Sequence, residues 1–271
     1  ADLTVDGSIA TGAAVSVMLI RAGVSPIATL PIAFLAGALA GMVTGLLNTA
    51  LGIPGILASI LTQISLYSIN LNIMGKANQP VSVDNYPLVV SLRYVTDGSV
   101  SRLLFFLGMI VFLLALIAVM YWYFGTEQGH AIRATGCNGN MARAQGINTN
   151  FIKVLALMIS NGLVGLCGAL YGQFQGASDV NMGRGAIVIG LAAVIIGEVL
   201  FGKFASKRKL AFAFTLASVI LGAVIYYMVY QFVLWLKMPS EDMKLFSAIV
   251  VAIFLAIPYL KEKRTLRKGA S

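Results

Sequence analysis

Ile27-Ala-Thr-Leu-Pro-Ile-Ala-Phe-Leu-Ala-Gly-Ala-Leu-Ala-Gly-Met-Val-Thr-Gly-Leu-Leu-Asn-Thr-Ala-Leu51 runs without one charged side chain. A helix of this length rises roughly 37 Å, more than the roughly 30 Å of a bilayer's hydrocarbon. The stretch therefore predicts a membrane-spanning helix. Its glycines, Gly37, Gly41 and Gly45, recur every four residues and mark one helix face for close packing against a neighbour.

The rest of the chain repeats the pattern. Gly55–Gly75, Leu103–Phe124, Phe151–Gln175, Leu210–Lys237 and Met243–Leu260 are further predicted spans. Ser8–Ala22 and Gly185–Gly202 are shorter, richer in small residues, and read as half-helices or tilted pieces. The expected fold is all-α, a polytopic transmembrane bundle of about 8 spans over residues 1–260, followed by a basic tail over 261–271. Strands are not expected, because no series of alternating ten-residue segments exists. Gly168, Gly172 and Gly176 form a second four-residue repeat and carry the same packing expectation as the first.

Bulk composition agrees. Hydrophobic residues make up 59% of the 271 and charged residues 11%, with mean hydropathy +0.89. Soluble domains are nearer half apolar and a quarter charged. The net charge of +9 does not point to nucleic acid, because most of it lies in three polar stretches: Arg133, Arg143 and Lys153; Lys203, Lys207, Arg208 and Lys209; Lys261, Lys263, Arg264, Arg267 and Lys268. Counting spans places all three on one face, which the positive-inside rule names cytoplasmic, beside anionic membrane lipid. A multi-pass protein of a bacterial inner membrane is the expectation.

Enzyme chemistry fails on inventory. His130 is the single histidine, so neither a His-based metal site nor a Ser-His-Asp triad can be assembled. Gly197-Glu-Val-Leu-Phe-Gly202-Lys203 follows a P-loop for seven positions, but Phe204 replaces the Ser or Thr that holds Mg²⁺, and no strand precedes it. No metal or cofactor is expected on this chain. Glu198, near the end of its apolar segment, reads as a salt-bridge partner of Lys203 or of an arginine of the 127–148 loop, set against a role in proton coupling.

Polar side chains inside spans are costly unless paired or facing water. Gln63, Asn70, Asn72, Asn161, Gln173 and Gln175 are the candidates for a translocation path, set against interhelical hydrogen bonding. Asp2–Ser8 and Asp179–Gly185 each lead into a short small-residue segment, then a long helix, in opposite directions. Inverted repeats of this kind mark transporters.

The connection Glu127-Gln-Gly-His-Ala-Ile-Arg-Ala-Thr-Gly-Cys-Asn-Gly-Asn-Met-Ala-Arg-Ala-Gln-Gly-Ile-Asn148 predicts two short helices, Gly129–Thr135 and Met141–Gln145. The turn residues Gly136, Asn138 and Gly139 separate them, and Gly146 caps the second. Gly129-x-Ala131-Ile132-Arg133, then Asn138, Ala142, Arg143 and Gly146-Ile147 before an apolar helix, resembles the coupling loop of ABC permeases for branched-chain amino acids, ribose and nucleosides. The likeness extends through Asp2-Leu-Thr-Val-Asp-Gly-Ser8, Gly37–Gly45, Ser160-Asn-Gly162, Gly168–Gln173, Asp179–Gly183 and Ile189–Glu198. The nearest subgroup is the tryptophan/tyrosine type. Two positions depart from the family pattern: Cys137 and Gly139 stand where Asp and Pro are usual.

The resemblance implies an inverted-repeat importer permease with one further helix ahead of Asp2. It also implies that residues 127–148 dock on an ABC ATPase subunit, which holds ATP and Mg, with Arg133 and Arg143 as polar contacts. An extracytoplasmic substrate-binding protein and a second permease copy complete the set of partners. The implied cargo is a small polar solute, an amino acid of aromatic type, with nucleosides or sugars as the alternative class. An ion-coupled secondary transporter is the competing mechanism, weakened by the scarcity of charge inside the spans.

Overall fold

The computed structural model of the chain describes residues 2–82, 85–86, 88–91, 102–205, 211–235, 252 and 256. The helices are α1 (Thr4–Arg21), α2 (Pro26–Thr49), α3 (Gly55–Met74), α4 (Arg102–Phe124), α5 (Glu127–Cys137), α6 (Gly139–Ala144), α7 (Thr149–Gln175), α8 (Ala186–Ala205) and α9 (Ala211–Trp235). Five of them, α2, α3, α4, α7 and α9, are long and apolar enough to cross a membrane. The expected span Met243–Leu260 lies outside the described residues, apart from Ala252 and Ala256.

The chain divides into two compact units. One holds residues up to Ala115 with Trp122–Ala186, and the other holds Leu116–Tyr121 with the residues from Ile187 on. In the first unit α1 is the central helix, packed by α2, α3 and α7, and α7 also runs along α2. Ser8–Ala22, expected as a half-helix or a tilted piece, falls on α1, an unbroken 18-residue helix that is not among the five long apolar ones. Its modest hydropathy has a physical cause. Ala10, Ala13, Ala14, Val17 and Ile20 are buried, as are Thr4, Ser8, Thr11 and Ser16, so other helices surround α1 where lipid would otherwise demand large apolar side chains.

Burial is inverted relative to a water-soluble protein. The buried positions of α2 are Pro26, Thr29, Ala33, Gly37, Ala38, Ala40, Gly41, Thr44 and Gly45, whereas Leu35 and Leu39 are 60% and 56% exposed. Small residues face the protein and large apolar ones face outward, as expected where the solvent is hydrocarbon and helices associate by close backbone approach. The approach is tight. A side chain at Gly37 would run into the backbone carbonyl of Asn161, one at Gly41 into that of Leu157, and one at Gly45 would lie 2.9 Å from Cα of Val154. Gly168 meets the Ile9 carbonyl and Gly172 meets Ala13, so this second stripe faces α1.

Gly176 does not extend that stripe. It is the C-cap of α7 with φ 70°, a left-handed conformation that favours glycine and ends the helix. The chain then enters β2 (Ala177–Asp179), which pairs antiparallel with β1 (Asn78–Pro80) through Asn78↔Asp179, Gln79↔Ser178 and Pro80↔Ala177. This two-stranded ribbon corrects the expectation of no strands. Three residues are too few to display an alternating pattern. Arg21, at the end of α1, donates a hydrogen bond to Gln79 Oε1 and ties the ribbon to that helix.

In the second unit α8 and α9 use the same device. Gly197 meets the Ser218 carbonyl and Gly222 meets the Ala193 carbonyl, while Ala192, Ile196 and Tyr226 form a buried cluster. Glu198 is exposed, and the side chain of its expected partner Lys203 lies outside the described residues.

Candidate functional site

Two regions carry the residues singled out in the sequence: the elbow between α4 and α7, and the polar interior around α1. The elbow is built from caps. Thr126 caps α5, its Oγ1 accepting from the Gly129 N–H at 3.4 Å. Gly129 is buried, and a Cβ there would stand 2.5 Å from the Tyr123 carbonyl oxygen. Asn138 ends α5 and caps α6, its Oδ1 accepting from the N–H groups of Asn140 and Met141, each at 3.1 Å. The break is therefore the single residue Asn138: Gly136 and Cys137 lie inside α5 and Gly139 opens α6. Cys137 and Gly139 leave the cap intact because Asn138 supplies it.

The far end of α6 closes as a Schellman turn. Gly146 has φ 82°, its N–H donates to Arg143 O at 3.0 Å, and the Ile147 N–H donates to Ala142 O at 3.1 Å. Asn148 then caps α7, accepting from the Phe151 N–H at 3.2 Å. Both arginines reach back to the flanking helices. Arg133 donates to Phe124 O at 3.0 Å and Arg143 to Thr149 Oγ1 at 3.1 Å. Ala142 is buried, Ala131, Ile132 and Ile147 are half-buried, and both small helices pack on α7. Met141 presents 62% of its surface, beside exposed Asn140 and Ala144. The elbow is a capped, braced element whose outer face presents Asn140, Met141 and Ala144.

The polar interior sorts the six pathway candidates. Asn161 is fully buried. Its Oδ1 accepts from Ser8 Oγ at 2.7 Å, and its Nδ2 donates to Asp2 Oδ2 at 2.7 Å and Leu157 O at 3.1 Å. Gln173 is likewise buried: Nε2 donates to Ser16 Oγ at 3.2 Å and to Pro26 O and Thr29 Oγ1 at 3.4 Å, while Oε1 accepts from the Val89 N–H at 3.0 Å. Both buried amides thus hydrogen-bond within the protein on their oxygen and their nitrogen. Gln175 is exposed and donates to Tyr171 Oη at 2.6 Å. Asn72 is exposed and donates to Ser68 O at 3.0 Å.

Gln63 and Asn70 differ from these. They border a cavity of about 450 Å³ between α1, α3 and the segment after β2, whose polar lining also includes Asp6, Ser68 and Arg184. Asn70 is fully buried, and neither Oδ1 nor Nδ2 has a hydrogen-bond partner among the described residues. Asp6 and Arg184 lie in the two matching lead-in segments, Asp2–Ser8 and Asp179–Gly185, and neither is among the six pathway candidates. Proximity across more than 170 positions gathers them, and only the tertiary fold reveals it.

Comparison with known proteins assigns the family. Residues 1–258 match the family described as the branched-chain amino acid transport system / permease component. The chain belongs to this family. The permease is 38% identical over 255 residues to the tyrosine transport system permease protein of Clostridioides difficile strain R20291, covering 94% of this chain and 81% of that one. It is 31% identical over 259 residues to the uncharacterized protein RP368 of Rickettsia prowazekii, covering 94% and 86%. It is 28% identical over 238 residues to the autoinducer 2 import system permease protein LsrC of Yersinia pseudotuberculosis, covering 86% and 62%. No solved structure matches. The permease is thus a multi-pass inner-membrane transport component, not an enzyme.

Proposed function

We propose that this permease forms half of the channel of a binding-protein-dependent ABC importer for an amino acid of the tyrosine type. The observation that carries the substrate is the 38% likeness, over 94% of the chain, to a permease named for tyrosine transport. What supports the mechanism is the elbow: two short helices, capped at Thr126, Asn138 and Gly146 and braced through Arg133 and Arg143. Such an element transmits a push without bending.

In this reading residues 127–148 face the cytoplasm and seat in the ATPase subunit, which holds ATP and Mg. Gly129, Ala131, Ile132, Ala142 and Ile147 fit the elbow to the flanking helices, while Met141 and its neighbours meet the ATPase. Arg133 and Arg143 act as braces first. A second copy of the permease completes the channel, an extracytoplasmic binding protein delivers the solute, and the full chain has about eight spans in two inverted halves. Gln63 and Asn70 are the pathway candidates that the cavity supports.

The test is uptake of radiolabelled L-tyrosine by proteoliposomes holding permease, ATPase and binding protein, against a nucleoside and a sugar. Tyrosine uptake that requires ATP and the ATPase is expected. Uptake driven by an ion gradient without the ATPase would make this a secondary transporter, and uptake of nucleoside or sugar alone would change the substrate class.

A further inference from the structure

The Asp6–Asn70–Arg184 cavity contains a combination that helix packing does not explain. Asn70 is 0% exposed with both amide atoms unpartnered among the described residues, and it borders the cavity. A buried amide without partners is costly, and an opening of the adjacent cavity that brings a hydrogen-bonding group to it explains its retention. Arg184 borders the same space, is exposed, and its side chain has no partner among the described residues.

Depth sharpens the point. The Gly185 N–H donates to Asp6 Oδ2 at 3.1 Å, and Gly183 packs on the Asp6 carbonyl, so the segment after β2 descends to the first turn of α1. Asp6 stands fifteen residues before Arg21, the residue that meets the ribbon, roughly 22 Å along the helix axis. That separates the Asp6 end of the cavity from the ribbon by most of the roughly 30 Å thickness of a bilayer's hydrocarbon. An ionisable side chain within a membrane layer marks a functional site by default, since lipid cannot solvate it.

We infer that this cavity is a transit site for an α-amino acid zwitterion. Arg184 takes the carboxylate, Asp6 the ammonium, Asn70 and Gln63 hydrogen-bond the polar head, and the Tyr67 ring, 43% exposed, receives an aromatic side chain. A cavity of about 450 Å³ is within the size range of small-molecule sites. Opposite charges set across one cavity select a zwitterion over an amine or an acid alone. The inference rests on the amino-acid reading given above and adds the site and its chemistry.

The test uses the permease with its ATPase in nanodiscs, without the binding protein, and follows L-tyrosine, tyramine and hydroxyphenylpropionate by saturation-transfer NMR. Tyramine lacks the carboxylate and hydroxyphenylpropionate the ammonium. The expected result is tyrosine binding that R184Q weakens about tenfold or more, as for a lost charge-assisted pair, with tyramine unchanged. R184K should retain most of the affinity, and N70A should weaken tyrosine several-fold. Because Arg184 has no partner within the described chain, R184Q leaves the fold intact. Equal tyrosine binding by R184Q, N70A and the unaltered protein overturns the site while leaving the importer reading standing. If the unaltered importer neither binds nor accumulates tyrosine, the substrate reading falls and the zwitterion site falls with it.

Discussion

Asn161 sits where three helices converge, and its amide answers Ser8 of α1, Asp2 and the Leu157 carbonyl of α7. An alanine there leaves a buried hydroxyl and a carboxylate without this partner. The expected cost of N161A is about 1–3 kcal/mol, more than the roughly 0.6 kcal/mol of one average interhelical hydrogen bond. A lowered melting temperature of the purified permease in detergent checks it, with N72A, at an exposed side chain, close to neutral. The contrast also marks what a sequence conveys about single residues. All six polar candidates were visible as polar atoms inside apolar runs. Which of them hydrogen-bond within the bundle and which border a cavity depends on the neighbouring helix, and no spacing along one helix encodes that.

At the scale of elements, the glycine stripes and the elbow were the most legible features, because both are local. Gly37, Gly41 and Gly45 share a face by periodicity alone, and the structure sets that face against α7. G41L would force the Leu157 backbone away, and loss of monodisperse protein on size-exclusion chromatography is expected. G108A is the control: among the described residues nothing lies within 4 Å of a Cβ at Gly108 in α4, so the better helix former should be neutral or stabilising by up to about 1 kcal/mol. In the elbow the helix breaks and caps followed from Asn138 and Gly146, whereas the two arginine braces did not, since each spans to a neighbouring helix. G146A strains the left-handed turn by about 1–2 kcal/mol, and R143A frees α6 from Thr149. Both variants are expected to keep ATP hydrolysis in reconstituted complexes while uptake falls several-fold, measured as solute moved per ATP consumed. Helix α1 was the least legible element. Large apolar side chains report contact with lipid, and α1 has little of it because α2, α3 and α7 bury most of its small residues.

For the whole molecule, inverted burial is the decisive property: small and polar side chains inside, Leu35, Leu39, Ile64 and Val111 outside. That much follows from composition, because 11% charge cannot cover a protein in water. The membership of the polar cavity does not follow from it, since Asp6, Asn70 and Arg184 meet only once α1, α3 and the segment after β2 are assembled. A motor seated on the elbow requires the elbow to lie on the ATPase side of the membrane, and Cys137, exposed at the end of α5, reports on that directly. In a C167S background, an impermeant maleimide should label Cys137 in inverted membrane vesicles and not in spheroplasts, and adding the ATPase subunit should slow labelling several-fold. Labelling from the spheroplast side, or a rate indifferent to the ATPase, would contradict a motor seated on this elbow.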